Sequence, residues 1–326
     1  MNTKPTIAIL GDYEKCLRRF ADWSTLEQKA NIQIHHEPLQ GEALYEVIKH
    51  ADAIAIVRDR APINAAMIER LPKLRFVMFT GARNNTLDTA ALATRHIPVG
   101  VTAGGPSKET TAELTWALIL AASKNIIDQQ ALLQEGQWRN SNSVLPMLNG
   151  ERLGIIGLGA IGSNVANVGR AFGMEIVTWS PNMTPERAEK VGAKAVSLEE
   201  LLSSSKIVSL HIVASPSTQG LIHAENLKLM RPDSLLVNTS RSALIKTADL
   251  IQALQLGRPG KAAIDVFDIE PIPKNDPLRS TPNLLMTPHL GFIAEPIFKA
   301  FAHGINETLL AWTDDKPIPK LLNTAN

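Results

Sequence analysis

The sequence predicts an α/β protein built on doubly wound parallel sheets, and three observations carry the prediction. Short apolar runs alternate with longer segments of helical period, the runs are apolar on both faces, and Gly/Pro breaks divide the chain into blocks. The predicted strands cover 7–10, 54–57, 76–79, 154–157, 175–178, 207–210, 234–237 and 262–265, with a further strand-like stretch at 97–101. Runs apolar on both faces suit a sheet covered by helices on each side. The break Thr102-Ala103-Gly104-Gly105-Pro106-Ser107 precedes a predicted helix over about 109–124. A second break, Thr287-Pro288-His289-Leu290-Gly291, precedes one over about 295–312. A chain that leaves its first domain at one break and returns at the other has a discontinuous layout: 1–103 with 291–326 as one domain, and 104–290 inserted between them.

Size and charge set bounds on function. A chain of 326 residues exceeds the usual single core, so two domains are expected. Lys+Arg 33 against Asp+Glu 32 leaves a formal charge of +1, and no block of five like charges occurs. Nucleic acid and anionic membranes, which recruit clustered basic charge, are therefore not expected partners. Cys16 is the lone cysteine, which leaves no intramolecular disulfide and no multi-thiolate metal site, so no metal is expected and a reducing cytoplasm fits. The opening residues lack the apolar core of a leader, and no 18-residue apolar stretch occurs.

Gly157-Leu158-Gly159-Ala160-Ile161-Gly162 has the spacing of a dinucleotide fingerprint, follows a predicted strand and opens a helical segment over 163–172. Glycines there permit a tight turn and close approach of a pyrophosphate, whose charge the helix N-terminus favours. The bland alternative is an ordinary Gly-rich turn. The next predicted strand ends at Trp179-Ser180, where an acidic residue that reads the ribose is expected some 20 residues after the motif. Ser180 occupies that position.

The order of this motif, Asn238-Thr239-Ser240-Arg241, Asp265-Val266-Phe267-Asp268-Ile269-Glu270-Pro271 and Thr287-Pro288-His289-Leu290-Gly291 resembles the D-isomer-specific 2-hydroxyacid dehydrogenases of the glyoxylate/hydroxypyruvate reductase and phosphoglycerate dehydrogenase type. The resemblance covers nearly the whole chain. It implies two Rossmann-like domains, with a nucleotide-binding domain inserted into a flavodoxin-like substrate domain, and NAD or NADP as cofactor. It further implies a small 2-keto acid substrate and a homodimer built on the nucleotide-binding domain.

Keto-acid reduction needs a cation for the carboxylate, a proton donor and a group that poises the donor. Arg241 can fork onto carboxylate and carbonyl oxygen together. His289 can protonate a forming alkoxide near neutral pH, and Glu270 is the candidate partner of its other ring nitrogen. The resemblance assigns cofactor contacts to Gly157, Gly159, Ala160, Ile161, Gly162, Ser180, Val213, Thr218, Thr239 and Asp265, the last through the nicotinamide carboxamide. It assigns substrate contacts to Ala82 and Arg83 through backbone N–H groups, while Arg58 and Arg60 follow a strand and face a polar substrate tail or plain solvent. Three departures stand out: Arg83 and Ser242 replace common glycines, and Ile245-Lys246 replaces a frequent Val-Asp pair.

An oxidoreductase is the leading reading. A catalytically weak, dinucleotide-sensing regulator of the same fold is the alternative, separated by turnover; an amino-acid dehydrogenase would require ammonia. Ser180, which brings no charge, favours NADP over NAD: a carboxylate about 4 Å from one unit of phosphate charge costs about 4 kcal/mol at an effective dielectric near 20. Asn182, the predicted helix start Thr184-Pro185 and Arg187 would add donors, while Glu186 in the same turn works against them.

Overall fold

The computed structural model describes residues 4–322. The outer limits of the predicted first domain, and part of the opening stretch read for a leader, lie outside the described residues. The chain forms two compact units: one runs to Pro106 and resumes at Ala294, and the other is Ser107–Ile293. Each is a parallel sheet covered by helices, the doubly wound architecture predicted above.

In the first unit the strands are β1 (Thr6–Leu10), β2 (Asn31–His35), β3 (Ala53–Ile56), β4 (Phe76–Phe79) and β5 (Val99–Val101), in the order β2-β1-β3-β4-β5. This is the flavodoxin-like order, with its switch point between β1 and β3. Ile54, Ile56, Val77 and Phe79 are fully buried or nearly so and pack with helix residues Leu44, Ile48 and Ile68. The edge strand β2, Asn-Ile-Gln-Ile-His, is not among the predicted strands. It alternates polar and apolar side chains because only one side of an edge strand needs covering, so it forms no apolar run.

The second unit has β6 (Arg152–Ile156), β7 (Glu175–Trp179), β8 (Lys194–Ala195), β9 (Ile207–Leu210), β10 (Leu235–Asn238), β11 (Lys261–Ile264) and β12 (Leu284–Met286). Their order is β12-β11-β10-β9-β6-β7-β8, all parallel where paired. The strand order reverses between β6 and β9, and a doubly wound sheet opens a ligand crevice at such a point. Helices Ser107–Ser123 and Ala160–Ala171 bury Trp116, Ile119, Val165 and Ala166 against Leu153 and Ile155. Cutting a fully buried side chain such as Ile155 to Ala would cost about 2–5 kcal/mol. No helix of the described residues is long and apolar enough to cross a membrane.

Candidate active site

The glycine motif sits at the C-terminal end of β6, beside the switch point. Gly157 has φ +96, and a Cβ on it would lie 2.6 Å from the backbone nitrogen of Ile212, just beyond β9. A Cβ on Gly162 would lie 2.2 Å from the Gly157 carbonyl oxygen. Only glycine fits either place, whereas nothing lies within 4 Å of a Cβ built on Gly159. Gly159 caps the helix Ala160–Ala171 without a side-chain hydrogen bond, so no cap shields the first-turn N–H groups. An open backbone at a helix N-terminus fits a dinucleotide pyrophosphate, with Gly159, Ala160 and Ile161 as the residues that would hold it. The Gly157 N–H donates to Trp179 O at 2.9 Å, which ties the motif to the end of β7 where Ser180 begins the next loop.

That loop is compact. Met183 N donates to Ser180 O, Arg187 N to Thr184 Oγ1 at 3.3 Å, and the Arg187 guanidinium to Asn182 O at 2.6 Å. Thr184 and Pro185 start a helix as predicted, but Pro185–Glu189 is only five residues long and brings too little dipole to attract an anion. Its Thr184 hydroxyl holds the exposed Glu186 carboxyl below the ordinary carboxylate range, so the opposing charge in this turn is permanent near neutral pH.

Three residues expected to contact the cofactor also hold the surrounding backbone in place. Thr218 is buried, donating to Val213 O at 2.8 Å and accepting from Ser215 N at 2.8 Å, which shapes the loop that leaves Val213 exposed. Thr239 is buried against the Thr115 hydroxyl at 2.8 Å. Asp265 is fully buried: Oδ1 accepts from the Thr287 hydroxyl at 2.6 Å and Leu290 N at 2.7 Å, and Oδ2 from Gly291 N at 2.9 Å. Burial raises the Asp265 carboxyl pKa and these three donors partly offset that rise. Its side chain points into the protein and secures the turn that bears His289.

His289 sits on that turn with φ +53, a left-handed conformation uncommon for a non-glycine residue, fixed further by Gly291 O accepting from Thr111 Oγ1 at 2.9 Å. Its Nδ1 meets Glu270 Oε2 at 2.6 Å, and its ring packs edge-on against Phe292. Glu270 Oε1 accepts from Phe267 N at 2.9 Å, which orients the carboxylate from its far side. Burial pushes the Glu270 carboxyl up, but the His289 hydrogen bond and charge, the Phe267 amide and the Arg241 charge bring it below its ordinary value.

Arg241 follows β10. Asn238, buried at the strand end, donates through Nδ2 to Arg241 O at 2.9 Å and accepts from Ser240 N at 3.0 Å, folding the turn that presents the arginine. Asn238 stands in the quoted motif without a role read for it; its position at a strand end two residues before Ser240 is the Asx-turn signal that could have supplied one. The exposed guanidinium donates to Ser240 O at 2.7 Å and, among the described residues, forms no ion pair with a carboxylate. Ser242 opens a 3-10 turn without a positive φ, so replacing glycine there costs no strain.

In the first unit, Arg58 gathers the loop after β4. Its N–H donates to Thr80 Oγ1 at 3.0 Å, its carbonyl accepts from Asn84 Nδ2 at 2.7 Å, and its Nη1 lies 2.0 Å from where a Gly81 Cβ would stand. Gly81 takes φ +94, whereas Arg83 has no positive φ, so the left-handed residue of this loop is Gly81. Ala82 and Arg83 are exposed. Arg60 has partners within its own unit: its guanidinium forks onto Glu14 at 2.6 and 2.7 Å, donates to Gly11 O at 2.7 Å and stacks on Tyr13. Among the described residues no three His, Cys, Asp or Glu side chains gather to hold a metal ion.

Residues 116–291 match the model of the D-isomer specific 2-hydroxyacid dehydrogenase, NAD binding domain. The chain belongs to this family. It is a dehydrogenase acting on CH–OH donors, an NAD(P)-linked enzyme that reduces 2-keto acids to D-2-hydroxy acids. Among its relatives, a glyoxylate reductase of Aeropyrum pernix is 36% identical over 296 residues, covering 88% of each chain. A D-3-phosphoglycerate dehydrogenase of Methanocaldococcus jannaschii is 36% identical over 84% of this chain, which spans 52% of that relative. A crystal structure of a phosphoglycerate oxidoreductase from Vibrio cholerae is 32% identical with a TM-score of 0.87, covering 95% of this dehydrogenase and 99% of the other chain.

Proposed function

We propose that Arg241, Glu270 and His289 carry out the reduction, and the 2.6 Å contact between His289 Nδ1 and Glu270 is the observation that carries the reading. A bound nicotinamide would supply the hydride to the carbonyl carbon. Arg241, with no carboxylate of its own among the described residues, holds the substrate carboxylate and its carbonyl oxygen in one planar fork. Glu270 accepts a hydrogen bond from Nδ1–H, which keeps that proton on the ring and leaves Nε2 as the nitrogen that delivers a proton to the forming alkoxide. After that transfer the ring is neutral and still carries hydrogen on Nδ1. Ala82, Arg83 and Arg58 are proposed to contribute to substrate binding on the strength of the resemblance and of the loop that Arg58 gathers.

The preferred substrates are small 2-keto acids with uncharged or hydroxylated tails, such as glyoxylate or hydroxypyruvate. Engagement of Arg60 with Glu14 removes one cation that a phosphorylated tail would need. Turnover of glyoxylate, hydroxypyruvate, pyruvate, phenylpyruvate and 3-phosphohydroxypyruvate tests this; a strong preference for the phosphorylated acid overturns it.

NADPH is the preferred cofactor in this reading, because Ser180 brings no charge to the ribose position and Arg187 is held against the same loop. Ser180→Asp then swings kcat/KM toward NADH; a native enzyme that strongly prefers NADH, or no swing, refutes the preference. The enzyme acts as a cytoplasmic homodimer. The helix Ile126–Gln134 buries none of its residues, and Ile127, Leu133, Trp138, Val144 and Met147 are exposed along one stretch that a second copy would cover. Light scattering that finds only monomer at micromolar concentration removes this assignment.

A further inference from the structure

We infer that Thr247 and Asp268 are positioning residues, a clasp that sets Glu270 in register with His289 and Arg241; the inference rests on the reading of those three groups proposed above. The Thr247 hydroxyl donates to Asp268 Oδ2 at 2.6 Å. Thr247 is the first residue of the helix Thr247–Gln255, joined to Arg241 by the short 3-10 turn Ser242–Leu244. Asp268 stands two residues before Glu270 on the loop after β11. One hydrogen bond therefore links the segment that presents Arg241 to the loop that presents Glu270.

Phe267 packs against the cluster that holds Leu244, Ile245 and Leu250, but the loop beyond it is open. A small cavity lined by Ser242, Thr247, Val266 and Phe267 lies between the two segments, and Asp268, Ile269 and Glu270 are all exposed. From its own loop, Glu270 receives the Phe267 amide. The helix start lacks a side-chain cap at Lys246, so the Thr247 hydroxyl is not drawn into capping and is spent on Asp268. Within this unit the charged groups that face the pair are Arg241 toward Glu270 and Asp265 toward His289, and the clasp governs the distance to the first of these. Releasing it lets the 266–270 loop move away from His289, which lengthens the contact between Glu270 and Nδ1.

The test compares Thr247→Val, Thr247→Ser and Asp268→Asn in the full-length enzyme, with His289→Gln as reference and melting temperature measured throughout. Thr247→Val is expected to lower kcat/KM about three- to tenfold, as befits one charge-assisted hydrogen bond at a partly exposed site. Its alkaline limb moves to lower pH, in the direction of Glu270→Gln but by less. Thr247→Ser restores both, Asp268→Asn falls between, and the Val/Asn double variant is no worse than Val alone. A lowered melting temperature with an unmoved pH profile makes the bond a mere helix fastening and overturns the clasp, provided His289→Gln is inactive. Wild-type turnover in His289→Gln instead overturns the assignment of the catalytic groups, and the clasp with it. An NMR titration of the His289 ring in Thr247→Val reads the same displacement without turnover.

Discussion

The two ends of the seven-stranded sheet treat charge in opposite ways. At the N-terminal end, Arg152 at the start of β6 forks onto Glu175 at the start of β7, and Lys206 and Arg231 share Asp233, with Glu151 behind. The Asp233 carboxyl is held far below its ordinary range, first by the Arg231 hydrogen bond and then by Lys206. At the C-terminal end Arg241 donates to a backbone carbonyl and, among the described residues, forms no ion pair, and Glu270 and His289 share one hydrogen bond at a half-exposed position. Charges matched within the chain have nothing left for a ligand. An arginine without an ion pair among the described residues, beside a paired acid and histidine, suits the anionic substrate proposed above, a contrast that counting charged residues does not show.

The largest expected effect tests the functional end. His289→Gln should lower keto-acid reduction about 10²–10⁴-fold while cofactor affinity, measured by fluorescence quenching, holds. Near wild-type turnover breaks the comparison at its centre. Arg241→Lys should cost about 10²-fold in kcat/KM, since a point charge cannot hold two oxygens in one plane; ordinary kinetics would show that Arg241 is not the clamp.

Glu270→Gln sharpens the contrast through pH. In the mechanism proposed above the proton donor must be charged, so activity should fall at alkaline pH, and removing the carboxylate charge should move this limb to lower pH. The native Glu270 carboxyl titrates below its ordinary value, so it remains ionised throughout that range. An unmoved limb would take Glu270 out of the relay. The smallest effect belongs to the other end: Arg152→Gln should change stability by about 1 kcal/mol or less in urea unfolding and leave kcat/KM unaltered. A large loss of activity there would erase the distinction.

The sequence reading located groups whose neighbours lie nearby along the chain. The apolar runs of β1, β3, β4, β6, β7, β9, β10 and β11 were legible because both faces of each strand are buried, and the glycine motif because its turn is local. The candidate roles of His289 and Glu270 rested on the order of the motifs, and the structure adds their contact. What escaped depends on partners distant in sequence. Arg60 reads as a loop arginine until Glu14 is seen against it, 46 positions away. Asp265 reads as a strand-end acid for the nicotinamide or for a turn, and the sequence does not show that the turn it holds is built from Thr287 and the amides of Leu290 and Gly291. The strands β2, β8 and β12 lacked a signal because one alternates and the others are two and three residues long.

The sealed Asp265 carboxylate has a consequence for deuterium uptake. Loop amides ordinarily exchange fast because water reaches them, but Leu290 N–H and Gly291 N–H end on a side chain with no solvent contact. Their exchange requires the carboxylate to leave its pocket, so these two protons should outlast those of the surrounding loop and track the unfolding of β11 rather than the breathing of the surface. The proposed proton donor would thus stand on the slowest-exchanging turn of its neighbourhood, and isotope labelling would mark the loop that bears His289 as part of the core.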